Sequence, residues 1–351
     1  MDSDKISRLL GSSGRKVLLY HTDSDGISSA ALILRFFGGF AAVPRDGPII
    51  DDRFLHEIIS MKPDLLVVLD IPIDQEWKKM EFLQQSLPGL RLVVIDHHIP
   101  EKNLTSRRSF HINPRFEREV YIPASALVYR LLQQMGKDVR PLIWIAGVGI
   151  VGDHAFEDCK DIVRECVESF PDLGGDIRKS KLNSISGMLT SAVVLHGTRG
   201  VMKSLEILLS TDRMEDLLKN EYLRKCDGLV SAEIKRVMSD FRKRAREFPN
   251  LDLIIYRLSS RLNIASTIST LLAEKHPDKM IFVTKQGKRH VKVSARYQAG
   301  KINLSKLLKS SVDGIGSGGG HEKAAGAVIN KHDSKEFERR LVNRITELRA
   351  G

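Results

Sequence analysis

Arg91-Leu92-Val93-Val94-Ile95-Asp96-His97-His98 is the stretch on which the reading of this 351-residue chain turns. An apolar strand ends abruptly in one carboxylate and two imidazoles. Such groups are costly to bury without polar partners, so packing alone does not account for them. Two earlier stretches repeat the pattern. Lys16-Val17-Leu18-Leu19-Tyr20 runs into His21-Thr22-Asp23-Ser24-Asp25-Gly26, and Leu65-Leu66-Val67-Val68-Leu69 ends in Asp70. Continuous apolar runs suit strands covered on both faces, as in parallel sheets. Helical spacing fills the intervals, over Ile27 to Phe37 (with Ser28 and Ser29 as capping hydroxyls), Phe54 to Ser60 and Asp74 to Gln85. Gly38-Gly39, Pro63 and Pro88-Gly89 punctuate them. Strand–helix alternation with a polar cluster at each strand end predicts an α/β, doubly wound parallel-sheet domain with its site at the carboxyl ends of the strands.

Beyond this the chain reads as more helical. Ala124 to Met135, Arg140 to Val151 (leading into Gly152-Asp153-His154), Asp161 to Val167 and Lys181 to Leu195 carry helical patterns. The highly charged stretch from Glu221 to Glu247 lacks proline and reads as a linking helix. After Pro249-Asn250 the pattern restarts with strands over Leu251 to Tyr256, Met280 to Thr284 and His290 to Arg296, and helices over Ile264 to Lys275, from Leu304 and over Asp333 to Leu348. Between the last two helices lies a glycine-rich loop, Gly314 to His321. The expected organisation is a catalytic domain over 1–200, a helical connector over 201–250 and a smaller α/β C-terminal domain over 251–351.

Charge is unevenly spread. Residues 1–250 carry 36 Lys and Arg against 35 Asp and Glu, whereas residues 251–351 carry 19 against 9. The basic excess suggests that the second domain binds a polyanion, with a solvated basic surface as the competing reading. No apolar run approaches the ~20 residues of a membrane span. The polar start, Met1-Asp2-Ser3-Asp4-Lys5, does not read as a secretory signal, and three cysteines without metal-ligand pairing fit a reducing, cytoplasmic setting. Aromatic content is 6%, too low to predict extensive base stacking; Tyr297 is the ring singled out for it.

His21, Asp23, Asp25, Asp70, His97 and Asp153 form a set of oxygen and imidazole donors. Such a set favours hard to borderline divalent ions, with Mn2+ preferred and Mg2+ or Zn2+ as alternatives. So many donors exceed the needs of one catalytic ion. Two ions ~3.5–4 Å apart, sharing a carboxylate, fit better and can activate a water against a phosphate.

The four blocks His21-Thr22-Asp23-Ser24-Asp25-Gly26, Asp70, Asp96-His97-His98 and Gly152-Asp153 resemble motifs I to IV of the DHH phosphoesterase superfamily, in order. Gly318-Gly319-Gly320-His321 resembles the glycine-rich signature of the DHH-associated C-terminal domain. The resemblance implies that His21 and Asp23 hold one ion, that Asp25, His97 and Asp153 hold the other, and that Asp70 bridges. It implies that His98 faces the scissile phosphate and that Asp96 orients the histidines. Arg296 resembles the family's substrate-gripping arginine. The glycines of Gly318-Gly319-Gly320, followed by His321 in the basic domain, let backbone N–H groups approach a phosphate or nucleotide closely, and Ser266, near the start of a helix, is a weaker candidate to help hold one. Lys285, Lys288, Arg289 and Lys292 could attract a nucleic-acid backbone.

The expected function is a metal-dependent phosphodiesterase of the RecJ-like or nanoRNase-like kind, acting on single-stranded nucleic acid as an exonuclease and releasing mononucleotides across a cleft between the domains. Very short oligonucleotides, dinucleotides or bisphosphorylated nucleotides are the alternative substrates, which the modest chain length favours. A non-catalytic subunit of a replication or repair complex is the second alternative. Replication or repair proteins and a second copy of the chain, as a homodimer, are the candidate protein partners; no membrane is implied.

Overall fold

The computed structural model describes residues 3–47, 49–174 and 176–350. The chain divides into two compact units, Met1–Asp227 and Gly228–Gly351. The first opens with the helix α1 (Ser3–Leu10), the strand β1 (Lys16–His21), α2 (Ser24–Phe36), β2 (Phe40–Arg45), α3 (Asp52–Met61), β3 (Leu65–Leu69), α4 (Trp77–Ser86), β4 (Arg91–Ile95) and β5 (Ser109–Ile112). Its five strands are all parallel, in the order β2-β1-β3-β4-β5. The order reverses between β1 and β3, which opens a crevice at their carboxyl ends.

The apolar runs serve two cores at once. Along β3, Leu65, Val67 and Leu69 face one cluster with Tyr20, Val93 and Ile95, while Leu66 and Val68 face another with Val17, Leu19, Leu92 and Val94. The period of two along a strand requires this division. The register pairs Tyr20 with Leu69 and Leu69 with Ile95, so β1, β3 and β4 end level. Asp70 N–H still donates to Ile95 O, and Asp96 N–H to Ile112 O, so the ladder carries past the assigned strands into the polar residues.

Helices α5 (Ala124–Gln134), α6 (Ile143–Gly152), α7 (Lys160–Ser169), α8 (Lys181–His196), α9 (Thr198–Ser210) and α10 (Met214–Leu218) complete the unit. Val201, Leu205, Ile207 and Leu208 of α9, then Met214 and Leu217, lie in the same core as α2 and α6. A connector was expected over 201–250. Residues 201–218 of that range lie in the first unit, where the apolar side of α9 and α10 is buried. The linking helix itself is α11 (Glu221–Arg244), within which the division into units falls.

The second unit continues with β6 (Arg246–Phe248), β7 (Leu253–Leu258), α12 (Ala265–Lys275), β8 (Met280–Gln286), β9 (His290–Arg296), α13 (Leu304–Ser311), β10 (Gly316–Gly320), β11 (Ala324–Asn330) and α14 (Ser334–Ala350). Its sheet runs β10-β11-β9-β8-β7-β6, with only β7 and β8 parallel. One face packs on α13 and α14 through Val291, Val293, Ala327, Ile329, Leu308 and Leu341. The expected glycine-rich loop is therefore in part a strand, β10, held by its ladder to β11.

One further expectation changes. Ser28 and Ser29 do not cap α2; Asp23 does, accepting from Asp25 N–H and Gly26 N–H. Ser29 lies one turn inside, where its hydroxyl donates to Asp25 O at 2.8 Å. All three cysteines are buried and free, and no helix among the described residues is long and apolar enough to cross a membrane.

Candidate metal centre

Seven side chains from five strand or helix ends converge. Three overlapping groups bring ligand atoms within 4.8 Å of one another: His21, Asp23 and Asp70; Asp25, His97 and Asp153; and Asp70, His97 and His98. β1 delivers His21, and the N-cap of α2 delivers Asp23. The end of β3 delivers Asp70, whose backbone is left-handed at φ 58°, a conformation uncommon for a non-glycine residue. β4 leads into His97, and α6 ends at Asp153.

Asp70 is 1% exposed and divides its two oxygens. Its Oδ1 lies 3.1 Å from His97 Nε2, and its Oδ2 lies 3.4 Å from His21 Nδ1. His97 Nε2 is also 3.3 Å from Asp153 Oδ2, and His21 Nδ1 is 2.8 Å from Asp23 Oδ2. His21 Nδ1 and Asp70 Oδ2 are buried yet make no hydrogen bond, although carboxylate and imidazole stand side by side. Buried donor atoms left without a hydrogen-bond partner inside a cluster of carboxylates and imidazoles suit a cation. The residues therefore fit the divalent-ion chemistry expected of them.

The electrostatics agree. Burial, and next to it the charge of Asp70, pushes the Asp25 carboxyl up to about 7. Burial raises Asp153 well above the ordinary carboxylate range, with Asp25, Asp23 and Asp70 adding to it. Burial alone would lower His97, but Asp70, Asp153 and Asp25 outweigh it and bring the imidazole to about 10. Likewise His21 is raised well above its usual value against its own burial by Asp23 and Asp70. Asp23 is held low despite burial, by His21 and the Gly26 N–H. Positive charge is in demand here, and protons supply it where no ion does.

Asp96 plays a different part. It is fully buried, accepts His98 N–H at 3.2 Å and lies 2.8 Å from His98 Nδ1. Burial pushes its carboxyl up, but the hydrogen bond and charge of His98 outweigh this and keep it low. An ionised Asp96 holds the proton on His98 Nδ1, so Nε2 is the free nitrogen of a side chain that is 36% exposed. Asp96 is absent from the metal-ligating groups among the described residues.

Several supporting residues carried no signal in the sequence. Asp25 is not a free ligand; it also accepts from Ala124 N–H at 2.7 Å, Ser125 N–H at 3.0 Å and Ser125 Oγ–H, at the start of α5. Gly149 and Gly152 of α6 make that approach feasible. A Cβ at Gly149 would overlap Asp25 Oδ1 and Ser125 Oγ, and one at Gly152 would overlap Ser24 Oγ. Asp74, fully buried, accepts from Glu101 N–H and Lys102 N–H, and Asn113 donates to His98 O at 2.9 Å. Both pin the segment after the two histidines. Tyr121 OH donates to Asp153 Oδ2 at 3.3 Å, and its ring sits 4.8 Å from that of His97. His154 is exposed beside Phe156 and joins no such group among the described residues.

In the second unit, Arg296 donates from Nη2 to Ser266 Oγ at 2.9 Å and from Nε to Thr270 Oγ1 at 3.2 Å, so these two expected substrate residues are neighbours. Gly318, Gly319 and Gly320 form the edge strand β10, and the exposed His321 follows it. Tyr297, expected to offer a ring for stacking, is 1% exposed in the core and presents none. Lys285 Nζ is spent on Arg261 O and Leu262 O, while Lys288, Arg289 and Lys292 are exposed.

The site is a parallel sheet with Asp and His gathered at three level strand ends. Comparison with known proteins gives the family. The profile described as the DHH family, N-terminal domain matches residues 16–165, and that of the DHHA1 domain matches residues 253–348. The chain belongs to the DHH phosphoesterase superfamily. No curated protein sequence matches it.

Among solved structures, RecJ from Thermus thermophilus in complex with Mn2+ superposes with a TM-score of 0.75 at 18% identity, over 98% of this chain and 54% of that one. This chain thus spans about half the length of that RecJ. An exonuclease RecJ bound to manganese gives 0.72 at 17% identity, over 99% and 94%. A DHH domain described as that of a member of a ribosomal protein family gives 0.76 at 16% identity, over 98% and 89%. These likenesses establish the fold.

Proposed function

We propose that the chain is a two-metal phosphodiesterase acting as an exonuclease on single-stranded nucleic acid, releasing mononucleotides. The observation that carries this reading is the division of Asp70 between the His21–Asp23 pair and the His97–Asp153 pair, which suits a bridging carboxylate between two cation sites. His21, Asp23 and Asp70 would hold one ion; Asp25, His97, Asp153 and Asp70 the other. The bound ions, Mn2+ or Mg2+, would supply Lewis-acid activation of a water and neutralise phosphate charge.

The remaining steps belong to the chain. Asp96 keeps His98 Nδ1 protonated, so a second proton, at Nε2, makes His98 a cation that faces the phosphate and can protonate the leaving oxygen. Asp25, anchored on α5, and Asp153, under Tyr121, keep the ligand set from collapsing on itself. Arg296, seated on Ser266 and Thr270, and the backbone of Gly318 to Gly320 would grip the substrate. The basic excess of residues 251–351 favours a polymer over a small nucleotide.

Time courses on 5′- and 3′-labelled DNA and RNA of several lengths, with Mn2+ and with chelator, test this. Stepwise loss of mononucleotides that EDTA abolishes is expected. Cleavage of dinucleotides with a 20-mer left intact would replace it by the short-oligonucleotide reading. Inert protein that binds Mn2+ would make it a non-catalytic subunit.

A further inference from the structure

The chain leaves the metal centre by an irregular route. β4 and β5 are parallel, yet residues 96–108 between them hold no helix. Parallel strands are usually joined by a helix, whose backbone satisfies its own hydrogen bonds. Here side chains from outside the segment take the place of that ladder. Asn113 Nδ2 donates to His98 O at 2.9 Å. Asp74 accepts Glu101 N–H at 2.6 Å and Lys102 N–H at 3.0 Å. Leu104 N–H donates to His111 Nδ1 at 3.3 Å, and His111 N–H donates in turn to Thr105 Oγ1 at 3.2 Å. The segment that begins at His98 is thus closed at its far end by one imidazole.

His111 is 7% exposed, pairs with Val94 of β4 and sets its ring edge-on to Phe116 at 4.8 Å. It belongs to none of the metal-ligating groups among the described residues. Because Nδ1 accepts, the neutral ring carries its proton on Nε2, which is buried without a partner. A second proton, on Nδ1, would set one N–H against the N–H of Leu104. Two carboxylates bear on the ring, Asp74 from the turn before α4 and Asp96 from the end of β4. The other charged groups of the segment are Glu101, which is exposed, and Lys102, whose Nζ turns to Glu81 at 2.9 Å. Burial holds the imidazole below its ordinary value although both carboxylates raise it, so the accepting form prevails at neutral pH.

We propose that neutral His111 is a positioning residue for His98. Through Leu104 it holds the segment from His98 to Thr105 against β5, and so fixes the imidazole that faces the phosphate. Its own ring touches neither ion nor substrate. Protonation of His111 releases Leu104, the slack runs back along the segment, and His98 loses its aim while the metal ligands stay in place. The role of His98 rests on the phosphodiesterase reading; the clamp itself does not.

Amide hydrogen exchange at Leu104, corrected for intrinsic rate, tests the clamp on the full chain in EDTA at about pH 5 and about pH 8, either side of the ordinary imidazole value. Wild type should lose protection at the lower pH. His111→Asn, whose Oδ1 can accept from Leu104 and does not titrate, should keep it at both, and His111→Leu should lack it at both. The proton shared by His98 Nδ1 and Asp96 reports the position of His98 without catalysis. Its NMR signal at the higher pH should be sharp in wild type and His111→Asn and broadened by exchange in His111→Leu. With Mn2+ and a labelled oligonucleotide, His111→Leu should lower kcat about 10–100-fold, the cost of a misplaced catalytic group, with KM and Mn2+ affinity within about twofold. His111→Asn should restore kcat. Thermal melts confirm folding, and His111→Phe, which keeps a ring and removes the acceptor, replaces His111→Leu if that variant fails to fold. Wild-type protection that is equal at the two pH values, equal behaviour of His111→Asn and His111→Leu, or an unchanged His98 proton in His111→Leu would each overturn the proposal. Protection and proton signal as expected, in a wild type that hydrolyses no nucleic acid, would uphold the clamp and count against the nuclease reading alone.

Discussion

Gly149 lies directly against the carboxylate of Asp25. A Cβ there would overlap both Asp25 Oδ1 and Ser125 Oγ, so three helices, α2, α5 and α6, meet at a point where only a hydrogen atom fits. Gly149→Ala should therefore push α6 away from the metal centre. The expected cost is about 1–3 kcal/mol of stability, as for other overpacked cores, together with loss of Mn2+ binding. Gly228→Ala is the contrast. Gly228 sits inside α11 with nothing within 4 Å of a Cβ, so the substitution should stabilise by about 0.5–1 kcal/mol. Denaturant melts and calorimetric Mn2+ titration of both variants read the difference.

That contrast marks what the sequence could disclose. The strand ends were legible because each is a local event, an apolar run stopping at Asp or His, and the same run is covered on both faces. Gly149 and Gly152 were not legible. α6 is apolar on every side, and its glycines acquire meaning only from Asp25, Ser125 and Ser24, far away in the chain. β10 and β11 escaped for the opposite reason. Gly-Ser-Gly-Gly-Gly has the poorest strand propensity, and only the ladder to Ala324–Asn330 makes it one. β5 is four residues long and isolated between loops. Tyr297 looked available because it follows Arg296, but at the end of a strand the next residue faces the other way, into the core.

Asp96 and His98 act as one unit in this arrangement, since the carboxylate receives both the backbone and the ring nitrogen of His98. Asp96→Asn should lower kcat by about 10²–10⁴ while Mn2+ still binds, because the amide can no longer fix the ring and its proton. The double variant with His98→Ala should be little worse than His98→Ala alone. Additive losses would show that Asp96 contributes independently, for instance as a ligand.

Tyr121 offers a gentler test. Its hydroxyl donates to Asp153 and its ring lies against His97, so it touches two proposed ligands. Tyr121→Phe keeps the ring and removes the donor. Mn2+ affinity should fall about tenfold, the lower range for a partner one shell out from a metal, with the fold unaffected. Calorimetric titration gives the affinity, and an unchanged melting temperature in EDTA separates this from general damage.

The ion-free protein should lose stability as pH rises. Asp25 has its pKa raised from 3.8 to about 7, so the stability it contributes is present below pH 3.8 and lost as pH climbs through 7. Asp153 acts in the same direction. His97 is raised from 6.5 to about 10, so its contribution is present below 6.5 and lost through 10. Asp23 and Asp96, both held low, oppose this only in acid, where their contribution disappears as pH falls below 3.8. Melting temperature in EDTA should therefore decline from about pH 5 to pH 9. Divalent ions replace the lost protons, and Mn2+ at a hundredfold excess over its Kd should restore about 2.7 kcal/mol. The Mn2+-dependent rise should be larger at pH 8 than at pH 5, because ligands must shed protons to bind. A rise that is equal at the two pH values would mean that these carboxylates and imidazoles do not hold the ion.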